Sequence, residues 1–120
     1  MRELPPLRVL VVDDSADDAE LMRFALEDGG LVVECLRVFT ELGLRQALDE
    51  FAACVVLSDL NIPGFSGERA LEMVREAAPN LPFVFVTGWM GEHPAPGPAD
   101  ALVLKDQLDT LPDLLGRLLA

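Results

Sequence analysis

The chain is 120 residues long, carries 21 acidic against 9 basic side chains for a formal charge of −12, and is 51% hydrophobic. That length suits one domain around a single core, and the negative charge opposes direct contact with nucleic acid. No apolar run approaches the roughly 20 residues that cross a bilayer, and none follows a basic leader, so a soluble cytoplasmic protein without membrane contact is expected.

Leu7 to Val12 is an aliphatic, β-branched run without alternation, which predicts a strand buried on both faces and ending at Asp13. Ser15 and Asp18 have the spacing of a capping box, followed by an apolar helical face of Ala19, Leu21, Met22, Ala25 and Leu26 up to Gly29 and Gly30. Leu31 to Val38 predicts a second strand. Thr40 caps the next helix, which runs to about Asp49, with Phe39 and Leu44 spaced as a hydrophobic staple. Ala53 to Ser58 predicts a third strand, Asp59 to Ser66 a loop, and Gly67 to Ala77 a helix with Ala70, Leu71, Val74 and Ala78 on one side, closed by Pro79 and Asn80. Phe83 to Thr87 is the fourth strand. Gly88 to Pro98 is broken by glycine and proline, so a helix of ordinary length is not expected there. Ala101 to Leu104 is the fifth strand, and Leu108, Leu111, Leu114, Leu115, Leu118 and Leu119 mark a last helix beginning near Pro112. Cys35 and Cys54 lie in separate apolar runs, too far apart for a metal or redox motif, and are expected to be reduced core residues.

Strands alternating with helices predict an α/β fold, a doubly wound five-stranded parallel sheet in the flavodoxin-like order 2-1-3-4-5. Ligand sites in such sheets lie beyond the carboxyl ends of the strands, at the switch between strands 1 and 3. Asp13 and Asp14 end strand 1, Asp59 ends strand 3, Thr87 ends strand 4 and Lys105 follows strand 5. Three clustered carboxylates repel one another unless a cation neutralises them, and an all-oxygen donor set suits Mg²⁺. An aspartate so placed can act as a nucleophile toward a phosphoryl donor, with Lys105 as the compensating point charge.

VLVVDDS, LSDLNIPGFSG, FVFVTG and LVLKD together resemble the receiver domain of two-component response regulators over nearly the whole chain. The resemblance implies that Asp59 is the phosphoacceptor. It also implies that Asp14, Asp59 and the backbone carbonyl of Asn61 hold Mg²⁺ directly, with Asp13 acting through water, and that Lys105 and Thr87 bind the phosphoryl group and drive the switch. Gly64 and Gly67, with Pro63, are expected to shape the turn beyond Asp59.

Four positions depart from the family pattern or modify it. Leu102 stands where an aromatic switch residue is usual. The interval from Thr87 to Lys105 is short, so the fourth helix is expected to be truncated or absent. Asp106 replaces the usual proline after the lysine and favours a trans bond. Trp89 occupies a position that, with Asn61, modulates hydrolysis in the family, or else caps the core as a loop aromatic; His93, without another ligand type nearby, is expected to be a solvated loop residue.

The resulting expectation is a single receiver domain over residues 1–120 with no effector domain. It would take a phosphoryl group from a histidine kinase or histidine phosphotransfer protein and signal by docking to a downstream protein. Beyond its own phosphorylation and slow dephosphorylation it would not be an enzyme; neither that target nor the oligomeric state is specified. The alternatives are a receiver-like interaction module that no longer switches and a small metal-dependent phosphatase, for which VVDDS lacks the Asp-x-Asp pattern.

Overall fold

Continuous aliphatic runs become the strands of a parallel sheet in the computed structural model, which describes residues 6–88 and 99–119. In chain order the strands are β1 (Leu7–Val12), β2 (Val33–Val38), β3 (Val55–Ser58), β4 (Asn61–Ile62), β5 (Phe65–Ser66), β6 (Phe83–Thr87) and β7 (Ala101–Leu104). Five of them form one sheet, ordered β2-β1-β3-β6-β7 with every pairing parallel, which is the anticipated doubly wound topology. The other two, β4 and β5, make a small antiparallel hairpin where only a loop was expected. Gly64 turns it at φ +74°, a conformation that costs glycine nothing.

Alternation along each strand divides the core. Leu10, Val12, Phe83 and Phe85 point to one side and pack with α2 (Glu41–Glu50) and α3 (Gly67–Ala77). Val9, Val11, Val84 and Val86 point to the other and pack with α1 (Ala16–Asp28) and α4 (Leu111–Leu118). Phe83 is fully buried and meets Phe85 edge to face at 5.1 Å. Truncating such a side chain to alanine costs about 3–5 kcal/mol.

Two strands start later than the sequence pattern suggests. Gly30, at φ +91°, and Ala52, at φ 54°, are still turning the chain, so Leu31 and Val32 and then Ala53 and Cys54 lie outside the strands. Leu21 and Leu119 stay exposed rather than joining their helices' core faces, and Leu44, not its expected staple partner Phe39, enters the core. Phe39 instead lies beneath the Arg37 guanidinium, 4.9 Å from its ring centroid. Cys35 and Cys54 are free thiols, but only half-buried. The last helix is preceded by a 3₁₀ helix, Lys105–Thr110, reached from β7 without a cis bond. Residues 89–98, on which the expected loss of the fourth helix and the roles of Trp89 and His93 fall, lie outside the described residues.

Candidate functional site

Strand register assembles the site. Val12 of β1 pairs with Ser58 of β3, and the Asp59 N–H donates to the Val12 carbonyl at 2.9 Å, so Asp13 and Asp59 leave adjacent strands side by side. Thr87 of β6 pairs with Leu104 of β7, which delivers Lys105 to the same edge. Among the described residues, Asp13, Asp14 and Asp59 form a cluster with one carboxylate oxygen each, all within 4.8 Å of one another.

Lys105 ties two members of this cluster to a fourth carboxylate, Asp18. Its Nζ stands 3.1 Å from Asp59 Oδ2, 3.0 Å from Asp13 Oδ2 and 2.7 Å from Asp18 Oδ2. The contact to Asp13 is an ion pair without hydrogen-bond geometry, so Asp13 Oδ2 is buried without a hydrogen bond. Burial pushes the Asp13 carboxyl above its ordinary value; the Ser15 N–H and Lys105 oppose that shift, and the Asp59 charge adds to it. Burial also disfavours the Lys105 ammonium, but the carboxylates of Asp18, Asp13 and Asp59 around it outweigh that and hold it above the usual lysine range.

The contact to Asp18 has no counterpart in the sequence reading, and its origin is local. Ser15 Oγ accepts from the Asp18 N–H at 3.1 Å, as a helix cap should. The return bond of a capping box is absent, because the Ser15 N–H donates to Asp13 Oδ1 at 2.9 Å instead. The Asp18 carboxylate is thereby released toward Lys105. Only the capping spacing could have drawn attention to Asp18, and it suggested a different partner.

Other predicted residues take varied places. Thr87 ends β6 almost completely buried. Asn61 opens the hairpin, paired with Ser66. Leu102 sits within β7 opposite Phe85, partly buried against the core. Ser58, which the sequence marked only as a strand end, is fully buried and donates its hydroxyl to the Asp59 carbonyl at 2.9 Å. Arg37 reaches over from β2 to donate to the carbonyls of Asp13 at 3.3 Å and Asp14 at 3.4 Å.

Hard oxygen donors, one of them buried and short of a hydrogen bond, suit a small divalent cation such as Mg²⁺.

Comparison with known proteins identifies the family. The model of the response regulator receiver domain matches residues 9–96. The chain is 32% identical over 80 residues to the C4-dicarboxylate transport transcriptional regulatory protein DctD of Rhizobium meliloti, and 30% identical over 115 residues to the response regulator protein FleR of Pseudomonas aeruginosa. The matches cover 67% and 92% of this chain but only 17% and 24% of those proteins, so the chain spans a minor part of their length. Among solved structures, the chemotaxis response regulator CheY4 of Vibrio cholerae aligns with a TM-score of 0.76 at 21% identity, over 95% of this chain and 99% of that one. TrrA of Thermotoga maritima, solved in complex with Mg(2+)-BeF, aligns with a TM-score of 0.74 at 25% identity, over 92% and 97%. With this match and this fold, the chain belongs to the response regulator receiver domains.

Proposed function

We propose that the domain accepts a phosphoryl group on Asp59 from a phosphohistidine of a histidine kinase or histidine phosphotransfer protein, in a Mg²⁺-dependent reaction in the cytoplasm. The observation that carries this reading is the placement of one Asp59 oxygen 3.1 Å from Lys105 Nζ while the same carboxylate belongs to the Asp13 and Asp14 cluster. An Asp59 carboxylate oxygen forms the new bond to phosphorus, the donor's N–P bond breaks, and its electron pair returns to the imidazole. Lys105 offsets the charge that accumulates on the phosphoryl oxygens, and Thr87, at the neighbouring strand end, donates a hydroxyl to one of them.

Asp13, Asp14, Asp59 and the Asn61 carbonyl would hold Mg²⁺. When bound, the ion supplies charge neutralisation for the carboxylates and the incoming phosphate. The Mg(2+)-BeF complex of the related TrrA supports this assignment. The domain then signals by altered docking to a downstream protein, and its chemistry is confined to its own phosphorylation and dephosphorylation. One observation favours a second reading, a receiver-like interaction module that does not switch: Leu102 packs against the core where an aromatic switch residue is usual.

Incubation with Mg²⁺ and a small phosphodonor should yield a base-labile phosphoryl adduct. The absence of any adduct, under conditions that modify another receiver, rejects the first reading and leaves the second. Phosphate-ester turnover beyond the release of that adduct would instead identify a phosphatase.

A further inference from the structure

The Lys105 ammonium ion-pairs with three carboxylate oxygens, on Asp59, Asp13 and Asp18, and hydrogen-bonds those of Asp59 and Asp18. At rest its charge is therefore fully committed. A phosphoryl group on Asp59 needs that charge, so Lys105 must withdraw from one of its present partners.

The three partners differ in what withdrawal costs. Asp59 is itself the acceptor. The Asp13 side chain is fully buried, so water cannot take the place of Lys105 on its oxygen. The Asp18 side chain is 35% exposed, so water can replace Lys105 there at little cost. Yet Asp18 makes the shortest of the three contacts, at 2.7 Å, and it lies outside the carboxylate cluster of Asp13, Asp14 and Asp59.

We infer that Asp18 is a positioning residue that competes with the phosphoryl group for Lys105: it holds the ammonium in the unmodified protein and is the partner released when Asp59 is phosphorylated. The inference rests on the proposed acceptor role of Asp59 and deepens it. Asp18 acts on the phosphoryl group only through Lys105, and its strength sets how far the phosphorylated state is favoured.

The test titrates Mg²⁺ and beryllofluoride, a phosphoryl analogue, into the wild-type protein and variants, with binding followed by calorimetry. Asp18→Asn keeps the backbone N–H that caps α1 on Ser15 and removes only the competing charge. It should bind the analogue about fivefold more tightly than wild type. Asp18→Glu should return the affinity to within about twofold of wild type, and Asp17→Asn, on the same turn and exposed, should change it less than about twofold. In a Lys105→Met background the gain from Asp18→Asn should vanish.

An equal gain from Asp17→Asn, or a gain that persists without Lys105, would show a general charge effect and overturn the inference while leaving the acceptor role intact. Wild-type protein that binds no analogue in Mg²⁺ overturns the acceptor reading and this inference with it.

Discussion

Gly67 approaches the carbonyl oxygen of Asp59 so closely that a Cβ at this position would collide with it, and the same Cβ would stand 2.9 Å from the Leu60 Cα and 3.0 Å from the Phe85 ring. Two of these neighbours are backbone atoms at the acceptor itself and cannot swing aside. Gly67→Ala should therefore cost about 2 kcal/mol in denaturant unfolding and move Asp59 enough to slow phosphoryl uptake. Wild-type stability and uptake in this variant would show that the turn tolerates the shift.

Removing Lys105 leaves Asp13, Asp18 and Asp59 without their shared cation. Because the site is only partly shielded, Lys105→Met should destabilise the metal-free protein by about 1–2 kcal/mol. Mg²⁺ should recover much of that loss, since it neutralises the same carboxylates. Thermal melts of both proteins with and without Mg²⁺ check this, and a variant as stable as wild type without the ion would contradict it.

Asp13 has a folded-state pKa above its ordinary value of 3.8, chiefly through burial. The folded protein then holds this proton more tightly than the unfolded chain does. Between 3.8 and the raised value the unfolded chain has given up a proton that the native state still holds, so Asp13 makes stability fall as pH increases through that interval. Asp13→Asn should remove this falling component from the stability profile measured without Mg²⁺. An unchanged profile would show that folding leaves the Asp13 pKa at its ordinary value.

Burial pushes the Cys35 thiol up to about 11, with the Arg23 charge opposing and the Glu27 and Glu20 charges adding to the rise. Its native alkylation near neutral pH should be at least about tenfold slower than that of a free thiol, allowing for the greater nucleophilicity of the more basic thiolate. Mass spectrometry of the native protein after brief alkylation measures this, and modification of Cys35 at the free-thiol rate would contradict it.

The sheet was legible because its inner strands are buried on both faces, and buried strands read as unbroken runs such as LRVLVV and FVFVT. The cluster of Asp13, Asp14, Asp59 and Lys105 was legible for a related reason: each stands at or just past the end of such a run, and parallel strands bring those ends to one edge. Asp18 was not. Its partner lies 87 residues away, and the contact depends on how α1 docks beside the end of β7 and on Asp13 taking the Ser15 N–H. The β4 and β5 hairpin escaped notice because two-residue strands carry no periodicity. Leu21 and Phe39 were misplaced because spacing identifies a helical face or a staple without telling how far the neighbouring elements extend to cover it.

The most direct measurement is the intact mass of wild-type and Asp59→Asn protein after incubation with a small phosphodonor, in Mg²⁺ and in excess chelator. The acceptor assignment predicts one phosphoryl adduct, on the wild-type protein, in Mg²⁺, mapping to the peptide that contains Asp59. An equal adduct on Asp59→Asn, or one that forms as readily in chelator, would contradict it.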